Sequence, residues 1–286
     1  MGPVRSAGGR HPAGQHPELE PLPLTPDQAQ TLVTAVFSGL LGLAIGSFLN
    51  VVVYRVPRGE SVVSPPSHCP SCDHEIRNRH NIPVLGWILL RGKCFDCGEP
   101  FSVRYPLVEA ATGALFAGVA VRFDDEPRLL AAYLVFAALA IALALIDLDV
   151  RRLPNVLVLP AYPVLAVLLA VGGDGHALLR AGMAAAALFA FYFVVAVAAP
   201  GSMGFGDVKL AGVVGGVLGY LSWGALLVGA FGAFLIGSVI GVGLMVLGSA
   251  GRKTAVPFGP FMLLGAWVSI LGASGLGESY LRTLGV

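Results

Sequence analysis

The sequence predicts an all-α polytopic membrane protein of about eight transmembrane helices with a cytoplasmic zinc-knuckle insertion. Three observations predict it. The 286 residues are 56% hydrophobic and only 12% charged, with a mean hydropathy of +0.78, whereas an ordinary soluble domain carries about twice that charge. Apolar runs recur along the chain, most of them near the ~20 residues that cross a bilayer. All four cysteines fall in one polar loop, as two Cys-x-x-Cys pairs. The net charge of +1 gives no support to nucleic-acid binding, which needs a basic surface.

Residues 1–30 are polar and proline-rich and lack a basic stretch running into a short apolar core. They read as a disordered tail, not a signal peptide. Residues 31–54 then form an uncleaved first transmembrane helix, and 55–106 a cytoplasmic loop with the four-cysteine knuckle. Residues 107–273 hold the remaining spans, approximately 107–121, 129–147, 154–172, 179–199, 208–221, 223–248 and 257–273, followed by a C-terminal tail, 274–286. The sixth of the eight spans is short, and its boundary with the seventh at Trp223 is the weakest. Glycines crowd 204–247, which suits close helix packing in lipid. With the N-terminus outside, twelve Lys and Arg fall in cytoplasmic segments against six outside. The positive-inside rule favours that orientation.

The cysteine pairs, Cys69/Cys72 and Cys94/Cys97, are separated by 21 residues, slightly more than the commonest zinc-ribbon spacing. Each pair offers two thiolates from one turn, and four make a closed, structural zinc site that supplies folding energy to a loop too small for a core. A reducing compartment argues against disulfides. Free thiols, or two disulfides under inverted topology, are the alternatives. His68, His74 and His80 read as surface residues, since four cysteines complete the shell.

Asp147, Asp149 and Asp207 lie at the ends of apolar runs. Carboxylates there are costly and mark functional sites. Two that approach each other share a proton and can activate water on a peptide bond. Asp147 and Asp149 are two apart and face nearly opposite ways on a helix, so one of them must meet Asp207 from another helix. Asp207 closes Gly204-Phe-Gly-Asp, where glycines let backbone approach closely. The bland reading is that each aspartate caps a helix at the interface. Asp149 fits that reading, as a solvated charge beside Arg151 and Arg152. Glu109 is placed to bind a substrate cation or an amine, or to pair with an Arg within the bundle. Lys209 either tunes the aspartates or snorkels to the cytoplasm. Pro257, Gly259 and Pro260 would break the start of the last helix and line a cleft there.

The chain resembles the type IV prepilin peptidases, membrane aspartic peptidases of the Gly-x-Gly-Asp kind. The resemblance is carried in order by Gly46-Ser-Phe-Leu-Asn, the cysteine pairs with Asn81-Ile-Pro-Val-Leu-Gly-Trp87, Arg104-Tyr-Pro-Leu-Val-Glu109, Asp147-Leu-Asp with Leu153-Pro-Asn155, Gly204-Phe-Gly-Asp-Val-Lys209 and Pro257-Phe-Gly-Pro260. It implies cleavage of basic leaders from prepilins or type II secretion pseudopilins at the cytoplasmic face of the bacterial inner membrane. It implies Asp147 and Asp207 as the catalytic pair, with Asp147 preferred over Asp149 by its spacing to Leu153-Pro154. It also implies N-methylation of the new terminus from S-adenosylmethionine, whose binding residues it does not identify. The expected partners are the substrates and the bilayer; the oligomeric state is open. A proton- or ion-coupled transporter using the same carboxylates is the alternative class, and a zinc-stapled scaffold without activity a third.

Overall fold

The computed structural model describes Gly2 and residues 25–199, 203–247 and 257–283, and outside the loop of residues 59–103 they are mainly helical. The helices are α1 Pro26–Arg55, α2 Leu85–Leu89, α3 Arg104–Arg122, α4 Leu130–Val150, α5 Asn155–Ala170, α6 Gly175–Ala198, α7 Phe205–Leu221, α8 Trp223–Val246, α9 Gly259–Val268 and α10 Ser274–Thr283.

The expected tail gives way to helix earlier than residue 31. The Thr25 hydroxyl accepts from the Gln28 N–H at 3.3 Å, and the Gln28 side chain accepts from the Thr25 N–H at 3.0 Å. With Pro26 at the first helical position, this capping box starts α1 at Pro26. Residues 3–24 of the expected tail lie outside the described residues. The C-terminal segment expected to be a tail is also helical, through Thr283. A non-helical Gly272 breaks the chain there, and α9 and α10 bend by 80°.

Four helical stretches are long and apolar enough to cross a membrane: Pro26–Arg58, Pro127–Val150, Gly175–Ala198 and Trp223–Val246. The bent pair Gly259–Gly272 and Gly275–Thr283 makes up to five. Length and composition thus give four or five candidate spans where the sequence led us to expect about eight. At 16 and 17 residues, α5 and α7 rise only about 25 Å, short of a ~30 Å hydrocarbon core. The boundary at Trp223 holds, because Ser222 turns into extended backbone and its hydroxyl accepts from the Ala225 N–H at 2.9 Å.

The helices pack chiefly as the pairs α1 with α3, α6 with α7, and α8 with α9. Small residues make the closest approaches. A Cβ on Gly42 would stand 2.7 Å from the Thr112 carbonyl oxygen and 2.8 Å from Phe116 Cβ. We expect Gly42→Leu to force α1 off α3 and to cost roughly 1–3 kcal/mol, read as a lowered unfolding temperature in detergent. α4 and α7 form the centre: Tyr133, Phe136, Leu143 and Ile146 of the first, and Val208, Leu210 and Leu218 of the second, are fully buried. The Tyr133 hydroxyl donates to the Val217 carbonyl at 3.0 Å. Conversely, large apolar side chains of α1, α6 and α8, such as Phe37, Leu40, Val194 and Phe231, point outward. Such an apolar exterior is what lipid solvates.

Two contacts fix which ends lie together. Thr31 of α1 donates to Asp124, just past α3, at 2.6 Å. At the other end Arg104 of α3 pairs with Asp149 of α4. The cysteine loop joins α1 to α3, so it lies at the Asp149 end.

Candidate active site and cysteine cluster

Helix α4 ends at Arg151, which takes a left-handed φ of 52° while its N–H donates to the Asp147 carbonyl. The last turn therefore faces two ways. Asp147 is only 4% exposed, whereas Leu148, Asp149 and Val150 are exposed. Asp149 is turned outward to a bidentate pair with Arg104, at 2.9 and 2.7 Å. It was expected beside Arg151 and Arg152; the partner comes instead from α3, because a helix end presents Asp149 to its neighbour and not to the residues that follow it.

Asp207 sits in the first turn of α7. One of its oxygens, Oδ2, accepts from the Gly204 N–H at 3.3 Å, which is the capping role. The other, Oδ1, is buried without a hydrogen-bond partner. The capping reading therefore holds for one oxygen, and the other is left free of it. Gly206 lets α7 close on the segment after α4: a Cβ there would meet Leu153 Cβ at 3.0 Å. Lys209 donates to the Asn155 side-chain oxygen at 2.9 Å, and its ammonium stands 5.0 Å from the centre of the Phe205 ring. It thus ties the start of α7 to the start of α5.

The third wall is Gly259, the first residue of α9. A Cβ at Gly259 would stand 2.7 Å from Asp147 Oδ2 and 3.5 Å from Asp207 Oδ1. Those two oxygens are the very atoms that are buried without partners. The Gly259 amide faces both carboxyls. Phe258 holds this turn, with its ring 5.8 Å from Tyr192 and 5.2 Å from Phe234. The turn at Pro257–Pro260, expected to line a cleft, therefore lies against both carboxyls. Sequence reasoning missed Tyr192 and Phe258, because an aromatic in an apolar run looks the same whether it packs a core or props a site.

Of the two roles expected of Glu109, pairing with an Arg of the bundle is not seen among the described residues. It is 8% exposed, and its Oε2 accepts the Val84 N–H at 2.6 Å. It anchors the loop to α3.

In that loop the four Sγ atoms lie within 4.8 Å of one another. The two pairs fold alike. Cys69 and Cys94 N–H groups donate to the His74 and Glu99 carbonyls, and each turn passes through positive φ, at Asp73 (59°) and Gly98 (76°). The Cys69–Cys97 and Cys72–Cys94 sulfurs are 3.8 and 3.9 Å apart, too far for disulfides, whose bond is about 2.05 Å. Backbone N–H groups of Ser71 and Cys72 lower the Cys69 thiol to about 7. At Cys97 the Glu99 amide pulls the other way, but desolvation and the surrounding sulfurs push the thiol up to about 12. Four thiolates cannot crowd together uncompensated, and this cluster is a possible metal site. His68 and His74 are exposed, and His80 stacks on Phe95 at 4.7 Å, so none joins the cluster.

Fold and site define a helical membrane protein with two inward carboxyls at one end of its bundle and a four-thiol loop at the same end. Profiles of protein families agree: the bacterial Peptidase A24 N-terminal domain matches residues 40–123, and the type IV leader peptidase family matches residues 134–246. A prepilin leader peptidase/N-methyltransferase of Aeromonas hydrophila is 34% identical over 270 residues, covering 85% of this chain and 92% of that protein. One of Pseudomonas aeruginosa is 34% identical over 273 residues, covering 86% and 93%. One of Myxococcus xanthus is 41% identical over 228 residues, covering 77% and 66%. This chain belongs to the type IV leader peptidase family. No solved structure matches it.

Proposed function

We propose that the chain is a prepilin leader peptidase whose water-activating pair is Asp147 and Asp207. The observation that carries this is the meeting of two partnerless, buried carboxyl oxygens at Gly259. Buried polar atoms are almost always satisfied, so two orphans facing one point mark a place for a water or a substrate atom. Close carboxyls resist double ionisation and share a proton. The ionised member takes a proton from water as the oxygen attacks the scissile carbonyl. The protonated member donates to the carbonyl oxygen, and the tetrahedral intermediate collapses as the leaving amine gains a proton. No acyl-enzyme forms.

The site lies at the end of the bundle that bears the cysteine loop, and the charge count assigns that end to the cytoplasm. The N-terminus is then outside, and α3, α5 and α7 complete eight crossings with the longer apolar helices. A prepilin's basic leader would stay in the cytoplasm and its apolar segment in the bilayer, with the scissile bond at the interface. A carboxyl pair at a helix end, not at mid-depth, favours this over an ion-coupled transporter.

The cysteine cluster would hold zinc. A Zn–S bond of about 2.3 Å sets sulfur–sulfur edges of roughly 3.8 Å in a tetrahedron, and two of the edges in the cluster are 3.8 and 3.9 Å. Cys69, Cys72, Cys94 and Cys97 would fill its shell and leave no open position, so the metal's role is to fold residues 55–106. The relatives' names add N-methyltransferase activity. In this chain that activity would take S-adenosylmethionine as co-substrate and follow cleavage.

Mass spectrometry of a prepilin incubated with the purified protein tests the reading. Leader loss, followed by gain of one methyl group when S-adenosylmethionine is added, is expected; an intact prepilin refutes it. The packing at Gly259 adds a second expectation. Gly259→Ala puts a methyl group 2.7 Å from Asp147 Oδ2 and should lower kcat about 10²-fold through misplacement of the pair, with the protein still folded by circular dichroism.

A further inference from the structure

The loop between α1 and α3 carries an apolar face that neither the aspartates nor the cysteines use. Helix α2, Leu-Gly-Trp-Ile-Leu, has no charged residue. Leu85, Ile88 and Leu89 recur at the spacing that shares one helix face, and they are 56%, 55% and 73% exposed. Ile82, just before, is 45% exposed, and Leu107 on α3 is 60% exposed. Trp87 turns the other way, and its indole N–H donates to the Phe101 carbonyl at 3.1 Å. Exposed apolar clusters of this kind mark a binding surface.

The height of this face is set by one hydrogen bond. The Val84 N–H, at the entry to α2, donates to Glu109 Oε2 at 2.6 Å. Val84 takes a φ of +60°, which a β-branched residue adopts only when its surroundings hold it there. Glu109 in turn lies level with Gly46 of α1, where an added Cβ would stand 2.7 Å from Glu109 Cα. Helix α1 belongs to a candidate membrane span. From Gly46 to Arg55 it rises about 13 Å, and its 30 residues rise about 45 Å in all, some 15 Å more than the hydrocarbon core. Its first five residues, Pro26 to Gln30, include Asp27, Gln28 and Gln30 and use up about 7 Å of that excess at the far end. At most about 8 Å then protrudes at the Arg55 end, and Glu109 lies about 5 Å inside the hydrocarbon edge. Val84 is pinned within the length of the Glu109 side chain of that depth, on the side toward the headgroups. Arg91 and Lys93, both exposed, follow α2 within four residues, where such side chains reach headgroups.

We infer that residues 82–89 are a lipid-facing wedge, seated at the acyl–headgroup boundary of the leaflet on the aspartate side and anchored there by Glu109. The partner is the bilayer, argued from depth and from continuity with the lipid-facing surface of α1 and α3. The loop is then not wholly aqueous: the wedge holds the four-thiol turns down on the membrane surface. This rests on α1 crossing the membrane and on nothing in the peptidase chemistry.

Tryptophan fluorescence of the full-length protein in vesicles of acyl-brominated phosphatidylcholine tests it. Leu89→Trp is compared with the unsubstituted chain, Ile88→Trp serves as a second site on the same face, and Glu99→Trp reports the aqueous side of the cysteine loop. The emission added at 89 or 88 should fall about twofold or more with brominated lipid and little with acrylamide, as for a face sunk 5–10 Å into the interface. That added at 99 should do the reverse. Glu109→Ala combined with Leu89→Trp should weaken the lipid quenching, and Glu109→Gln, which keeps an acceptor, should restore it. Acrylamide quenching without bromine quenching at both 88 and 89 overturns the proposal and leaves the face to a protein partner. Lipid quenching indifferent to Glu109→Ala overturns the anchor. Because cleavage is not measured, failure of the wedge and failure of the peptidase reading are separate results.

Discussion

Asp147→Asn and Asp207→Asn should each reduce prepilin cleavage by roughly 10²–10⁴-fold, the range for loss of a positioned acid or base. Asp149→Asn should leave it within a few-fold. The three substitutions are alike in size and in charge removed, so any difference comes from position. Asp147 and Asp207 each keep a buried oxygen free of partners, and those oxygens converge on Gly259. Asp149 is exposed and spends both oxygens on Arg104. An exposed pair of this kind is worth about 0–1 kcal/mol, so its loss should hardly shift the unfolding temperature. Neither active-site substitution should destabilise the protein, because an amide in place of a buried carboxyl carries no charge to desolvate. The double variant should be little slower than either single one, since members of one catalytic unit are not additive. The measurement is single-turnover cleavage of a prepilin in detergent with unfolding monitored alongside. Full activity in Asp147→Asn would move the site to Asp149 and contradict the convergence at Gly259.

Removing the metal should have the next largest effect. Purified protein should carry one zinc per chain by metal analysis. A strong chelator, or Cys69→Ser with Cys94→Ser, should strip it and leave residues 55–106 open to proteolysis. The cause is quantitative. The loop has two isolated β-bridges, turn hydrogen bonds and one short helix, but no hydrophobic core of its own to hold it, while a structural zinc contributes an apparent 10–16 kcal/mol in peptides of this kind. The helices from α4 onward should keep their unfolding transition, because their core at Phe136, Leu143, Leu210 and Leu218 does not involve the loop. A zinc-free preparation with a protease-resistant loop would refute the structural role.

The class of protein was legible because composition is a one-dimensional property: an apolar chain with few charges belongs in lipid wherever its helices go. The four-thiol cluster was legible for a local reason. Each Cys-x-x-Cys pair closes within one turn, so only the meeting of two turns was left to the fold. The start of α1 was legible and overlooked, since Thr25-Pro-Asp-Gln is a capping-box pattern placed inside what read as tail. Of the eight expected spans, four or five qualify by helix length and composition, because an apolar run does not set the length of the helix it joins, and α5 and α7 have only 16 and 17 residues.

By itself the sequence determined which residues carry charge at the ends of apolar runs, and hence the short roster of Asp147, Asp149, Asp207, Glu109 and Lys209. Only the tertiary structure sorted that roster. Two aspartates turn inward to Gly259 on a later helix, one turns out to an arginine from another helix, Glu109 grips a backbone amide, and Lys209 bridges to Asn155. The physical reason is range. A charge's cost in lipid is paid by the residue alone and shows in the sequence, whereas its partner is chosen by the packing of helices that are remote along the chain.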